Sequence, residues 1–357
     1  MIYILNRIFQ GFFSLFGVAS LVFFMFTILP GNPAEMMLDQ NQNSEQLEVL
    51  NNKFGFNLPL IDQYLYYLND LSPISFHTNN KNEFSYYEKK IYGGIPLFNF
   101  YNSIIVFKYP YLRTSYQRRG KPITDILMET LPNTGILAIS SIMIAIFGGL
   151  FFGITATIFK DHWIDRFLLL FSTLGMSIPS FFSAILFSWF FGYLLNSYTN
   201  LNMTGSLYEL DDFGDTYRIV LKNLILPSFV LGIRPLAIII QLVRSNLLEV
   251  LSQDYIKTAF SKGLSKYEVI FKHGLRNSIN PVITAVSGWF ASLLAGAIFV
   301  EYIFGWKGLG KEIVEALNHL DIPVVMGSVL VIALMFIIIN IVVDLIYTYI
   351  DPRIKIN

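Results

Sequence analysis

Apolar residues come in long blocks along this chain, and the charged residues fall between the blocks. No charge lies between Arg7 and Glu35, a run of 27 residues. Glu129 to Lys160 leaves 30, Arg166 to Glu209 leaves 42, Arg276 to Glu301 leaves 24, and Asp321 to Asp344 leaves 22. About 20 apolar residues in helix cross the hydrocarbon core of a bilayer. Each of these five runs is long enough. A sixth, 224–243, is interrupted only by Arg234. The pattern predicts six membrane helices, near 8–30, 132–158, 167–195, 224–246, 281–303 and 323–347. A further uncharged run, 91–107, is too short to span and too rich in Gly, Pro and Asn. The first apolar run exceeds the core of a signal peptide and is followed by no small-x-small site, so it is expected to stay in the protein.

Composition agrees. The 357 residues are 54% hydrophobic and 14% charged, and mean hydropathy is +0.53. Soluble domains carry roughly 25% charged residues. Net charge is zero, so bulk electrostatics give no pull toward nucleic acid. The chain has no Cys, which excludes disulfides and thiolate metal sites. His77, His162, His273 and His319 are scattered, so no metal centre is expected.

Six spans put both termini on one side. That side carries eleven basic residues in its short segments, among them Arg7, Lys160, Arg166, Arg353, Lys355 and six within 244–276. The other side carries four: Arg218, Lys222, Lys307 and Lys311. The positive-inside rule makes the richer side cytoplasmic. The expected protein is an all-α integral membrane protein of the inner (plasma) membrane. Its first helix occupies 1–34, an external insert 35–128, and a five-helix core 129–357 with a cytoplasmic loop at 248–280. Segment 73–112 of the insert holds 11 Phe and Tyr. That is too many for a flexible linker, so an ordered cap is expected.

The cytoplasmic loop carries the strongest local signal. Asp254 stands where a helix cap belongs. Ile256, Ala259 and Phe260 share one face, and Lys257 and Ser261 another. Gly263 breaks the run, and a second amphipathic stretch begins at Ser265. Such a loop can dock a soluble partner or lie on anionic lipid.

The string DYIKTAFSKGLS…FKHGLRNSINPVIT resembles the coupling loop of dipeptide/oligopeptide ABC-importer permeases. Its leading motif positions fall on Lys257, Thr258 and Ala259, and its glycine on Gly263. The likeness runs on through Leu29-Pro30-Gly31-Asn32-Pro33-Ala34, Phe54-Gly55, Gln63-Tyr64, Ser115-Tyr116 and Pro122-Ile123. Ser177-Ile178-Pro179-Ser180-Phe181, the E-x-x-F-x-x-x-G-L-G stretch at 301–310 and the Asp351-Pro352-Arg353 ending complete it. Lys307 stands where the family usually has Pro, and Gln241 where it often has Arg.

The resemblance implies a second, homologous permease, two cytoplasmic ATPase subunits and an external binding protein as partners. It also implies no cofactor on this chain, with ATP and Mg on the ATPases. ATPase contact would fall to Tyr255, Lys257, Thr258, Ala259, Lys262, Gly263 and Leu264, with Gly263 setting the loop geometry. Arg234 is a candidate for the translocation path, because intramembrane charge is costly and usually functional; snorkelling to the interface is its alternative role. Segment 305–311 has P-loop spacing, but Glu312 follows where Ser or Thr is required, so ATP hydrolysis by this chain is not expected. Gly149 and Gly153 form a GxxxG for close helix packing. Pro179 is expected to kink its helix, and Asp344 and Asp351 to end the last one. No HExxH or GxSxG occurs. The rival reading, a stand-alone secondary carrier, would need inverted repeats and midplane polar sites, and the sequence offers neither.

Overall fold

The computed structural model describes residues 2–27, 34, 44–81, 83–118, 120–211 and 213–350. The exit motif at 29–33, the end of the first expected span at 28–30, the 351–353 ending and the basic tail lie outside them.

Helix α1 (Ile2–Thr27) is followed by α2 (Ser44–Phe54), α3 (Leu60–Leu71) and strand β1 (Ile74–Thr78). The turn α4 (Lys89–Tyr92) leads to the hairpin β2 (Ile95–Phe100) and β3 (Ser103–Phe107). Next come α5 (Ile123–Ile158), α6 (Trp163–Ser177) and α7 (Ser180–Phe187), which continues as a π-helical stretch, Ser188–Leu194. The turn α8 (Asn196–Thr199) and the hairpin β4 (Tyr208–Leu210) and β5 (Tyr217–Ile219) precede α9 (Lys222–Leu251). Then follow α10 (Asp254–Ser261), α11 (Lys266–Glu268), a second π-helical stretch Val269–Gly274, and α12 (Leu275–Ser278). The chain closes with α13 (Asn280–Gly296), α14 (Ile298–Phe304), α15 (Leu309–Asn318) and α16 (Ile322–Ile350).

Among the described residues, four helices are long and apolar enough to cross a membrane: α1 from Leu5, α5, α9 and α16 to Leu345. Two bent pairs could each supply one more. The first is α6 with 180–194, bent by 108°. The expected continuous helix at 167–195 is therefore broken, more sharply than a kink. Proline bars the helical conformation for the residue before it. Ile178 accordingly takes φ −79°, ψ 129°, and α7 restarts at Ser180. The second pair, 266–278 with α13, bends by 54°. The fold is mostly helical, but two small sheets correct the all-α expectation.

The contacts divide the chain into two compact units. One comprises Glu129–Val314 with Met335–Asn357 and the first four residues. Its centre is α9, buried along most of its length: Leu236, Ile239, Ile240, Val243 and Leu247 lie in one apolar cluster with Leu137 and Ala145 of α5. Gly149 and Gly153 make this approach close. A Cβ on Gly149 would sit 2.4 Å from Ile239 Cγ2, and one on Gly153 2.6 Å from Val243 Cβ. Gly149→Ala is expected to cost about 1–3 kcal/mol by overpacking. Thermal unfolding in detergent checks it, with Gly135→Ala, which meets open space, as the neutral control.

The other unit comprises Leu5–Met128 with Glu315–Leu334. Tyr64, Tyr67 and Leu71 of α3 pack with Ala19, Val22 and Phe23 of α1 and with Met326 and Leu330 of α16. Phe23 stacks on Tyr67 at 5.2 Å, and the Ser20 and Tyr64 hydroxyls are 2.6 Å apart. Asp321, just ahead of α16, accepts from the Ser115 hydroxyl and, at 2.9 Å, from the Tyr116 amide. That bond gives the Ser115-Tyr116 pair a structural reason.

Segment 73–112 holds the strands β1, β2 and β3. It forms an antiparallel sheet of order β1-β3-β2. Asp70, at the end of α3, pairs with Arg113 at 2.9 Å, and Lys108 Nζ donates to the Asp70 carbonyl. His77 on β1 is buried, with its Nε2 2.9 Å from the Ser75 hydroxyl. Burial, helped by the nearby Lys108 charge, pushes its pKa down from 6.5 to about 4. The unfolded chain then binds a proton below pH 6.5 that the folded chain refuses until about pH 4, so stability is lost as pH falls through that window. The sheet is expected to lose about 2 kcal/mol between pH 6.5 and 5. Hydrogen exchange of the β1 and β3 amides in the full chain, corrected for intrinsic rates, reads the loss. His77→Gln is expected to abolish the pH dependence.

Candidate functional site: the loop after α9

The segment from 252 to 278 folds as a small module on the end of α9. Gln253, not Asp254, holds the cap position of α10, with φ −72° and ψ 151°. Asp254 is instead the first helical residue. There its charge faces the positive helix end, and its carboxylate lies 2.8 Å from Lys257 Nζ. Both side chains are exposed, so this pair adds little stability.

Ile256 and Ala259 are buried with Val269 beneath α10, and Leu251 and Leu264 flank them. Phe260, expected on that face, is exposed instead. The core under so short a helix is three residues wide, and it ends before Phe260. Tyr255 is half-exposed, and its hydroxyl accepts from Asn277 Nδ2 at 3.0 Å. Gly263 has φ +82°. A left-handed turn there lets the chain reverse between the two short helices, and only glycine adopts it without strain. Nothing lies within 4 Å of where its Cβ would be. Ser265 then opens α11 with a capping box: its hydroxyl accepts from the Glu268 amide, and the Glu268 carboxylate from the Ser265 amide.

The candidate contact residues therefore divide in two. Lys257, Thr258, Lys262 and Gly263 are exposed, as is Phe260. Ala259 is buried and Leu264 half-buried, so they hold the module rather than present a surface.

The module is fastened to the long helices. Lys266 Nζ donates to the Ile158 carbonyl at the end of α5, at 3.4 Å. Gly274 approaches α9 so closely that a Cβ would meet Leu247 at 2.8 Å. Arg244, one turn earlier on α9, grips Asp165 of α6 with two bonds, at 2.6 and 2.7 Å. These contacts tie the module and the end of α9 to α5 and α6. Gln241, the departure from Arg, donates to the Ser172 hydroxyl of α6 at 3.1 Å. Arg234 is exposed while its neighbours on α9 are buried. It heads a face with Ile238, Gln241 and Ser245 at helical spacing, separate from the loop module.

The sequence did not reveal the role of Glu301. It is fully buried, and its Oε2 accepts from the amides of Gly310 at 2.7 Å and Lys311 at 3.2 Å, at the start of α15. The Leu309 amide goes to the Thr134 hydroxyl, Trp306 Nε1 to the Asn133 carbonyl, and Asn133 Nδ2 to the Lys307 carbonyl. A Cβ on Gly308 would stand 2.4 Å from the Glu301 carboxyl. The 301–310 motif is thus a lock between α14, α15 and α5. Its amides are spent internally, not turned toward a phosphate.

The long apolar helices and the two bent pairs mark a polytopic membrane protein. The comparisons are specific. Residues 145–356 match the family of binding-protein-dependent transport system inner membrane components, and residues 1–78 match its N-terminal model. The chain belongs to that family. It is 34% identical to a dipeptide transport system permease protein, DppB, of Alkalihalophilus pseudofirmus, over 96% of this chain and 95% of the relative. It is 31% identical to the oligopeptide transport system permease protein AppB of Bacillus subtilis, over 99% of both. Among solved structures, an inward-facing conformation of the MetNI methionine ABC transporter matches in fold, with a TM-score of 0.50 at 14% identity. That match covers 64% of this chain and 98% of the other.

Proposed function

We propose that this chain is the permease subunit of an ATP-driven importer of di- or oligopeptides. The likeness along the whole chain to permeases named for dipeptide and oligopeptide transport carries the reading. In this account each bent pair counts as one span, giving six helices with both termini in the cytoplasm. The insert at 35–128 is then external. A homologous permease completes the path, an external binding protein delivers peptide, and two ATPases act from inside. The work of this chain is transport, and ATP with Mg is handled by the ATPases.

The exposed residues Tyr255, Lys257, Thr258, Lys262 and Gly263 seat in an ATPase groove. Closure of the ATPases pushes α10, and the bonds through Lys266, Gly274 and the Asp165–Arg244 pair move the helices together. Arg234 is the charged group we assign to the path. Its exposure among the buried residues beside it on α9 supports that assignment.

Gentle detergent purification of the tagged chain, followed by mass spectrometry, tests the assembly. A P-loop ATPase and a second permease are expected to accompany it. Repeated purification alone, under conditions that preserve other membrane complexes, would favour a stand-alone carrier.

A further inference from the structure

The three strands carry no Asp, Glu, Lys or Arg. Their register sets seven apolar side chains on one face. Ile74, Phe107 and Ile95 form one row, Phe76, Ile105 and Phe98 the next, and Phe100 extends it. All but the half-buried Ile105 are between 51% and 66% exposed. On β1 and β3 the opposite face, with Ser75, His77 and Val106, is the buried one, whereas β2 is exposed on both faces. The sheet is therefore turned inside out for a protein surrounded by water. An uncharged aromatic patch of this kind on a free surface marks an interaction site, and β2 adds an unprotected edge strand.

The chain itself points to the occupant. Leu71 of α3 is packed in the cluster that holds Ala19, Val22 and Phe23 of α1, a membrane-crossing helix. Only two residues, Ser72 and Pro73, lie between Leu71 and Ile74, so the reach is about 10 Å. The junction is rigid. Asn69 bonds both the amide and the carbonyl of Phe76, the Lys108 amide donates to the Pro73 carbonyl, and the Tyr111 amide donates to the Asp70 carbonyl. Ile61 and Leu65, exposed on α3, form an apolar stripe that ends at Asn69. The exposed face of α1 is built of the same residues at the same exposure, including Phe9, Phe12 and Phe13 at 56–63%. Tyr101 and Tyr109, at the ends of β2 and β3, are almost wholly exposed, and Tyr favours the membrane–water interface. A partner that binds and leaves would return this face to water in every cycle, whereas lipid covers it permanently.

We infer that the apolar face of the β1-β3-β2 sheet rests in the lipid surface beside α1, so that the insert is a membrane-seated platform. The inference goes beyond the transport reading and does not depend on it.

The absence of native Cys permits a direct test. Phe98→Cys, Phe100→Cys and Asn99→Cys each receive a nitroxide in the full chain, purified with its companions into lipid nanodiscs. Asn99 is exposed but points to the opposite face. The ratio of oxygen collisions to nickel-chelate collisions is expected to be several-fold higher at 98 and 100 than at 99. Equal ratios at the three sites would mean the face is bare to water and would overturn the inference. A nitroxide shielded from both reagents at 98 and 100 would place a protein there and overturn it equally. The readout is independent of transport, so loss of uptake in a variant leaves it intact.

Discussion

Gly263→Glu is expected to reduce uptake to less than about a tenth while the protein level and membrane insertion stay normal. Two physical effects combine. The residue sits at φ +82°, where a side chain costs about 1–2 kcal/mol of local strain. Its Cβ would point into open space, so the fold itself meets no clash. A carboxylate placed in that space stands on the exposed surface of the loop, where we place the ATPase. Gly263→Asn separates the two effects, because Asn tolerates the left-handed region. Uptake retained by Asn and lost with Glu means that the open space and its charge matter. Loss with both means that the surface tolerates no side chain. Normal uptake by Gly263→Glu would remove Gly263 from the coupling path.

Glu301→Ala is expected to be the most damaging single change to the fold. The side chain is fully buried and accepts two amides at the start of α15. Truncation removes the Glu301 acceptor from both amides and opens a hole against Gly308. Each buried amide that loses its acceptor costs about 1–3 kcal/mol, so the loss is about 2–6 kcal/mol in all. Thermal unfolding in detergent is expected to show a clear drop. Glu301→Gln keeps an acceptor oxygen in place and is expected to restore part of the loss. A Glu301→Ala chain with unchanged melting would show that the lock is not needed.

Much of this molecule is written in the spacing of its charges. The gaps in charge mark α1, α5, α9 and α16, because a bilayer core excludes charge over about 20 residues whatever the tertiary packing. GxxxG likewise marks the contact of Gly149 and Gly153 with α9. What was not legible depends on geometry between distant residues. Pro179 announces a disturbance, but its 108° size depends on how α6 and α7 pack. Glu301 and the amides it binds are nine and ten residues apart, and the Thr134 and Asn133 partners lie on another helix. In the loop, amphipathic spacing located Ile256 and Ala259 correctly and misplaced Phe260, since spacing cannot say how wide the underlying core is. The strand at 74–78 lay outside the all-α expectation, and its sequence gives no sign that the polar side faces inward.

Site-specific cross-linking from the loop is the most direct test of the coupling account. Lys257→Cys and Phe260→Cys, each carrying a photoactivatable maleimide, are irradiated in native membranes, and the adducts are identified by mass spectrometry. The account predicts that both positions capture a P-loop ATPase. Capture of lipid alone, or of no protein from either position while an ATPase still co-purifies with the chain, would contradict it.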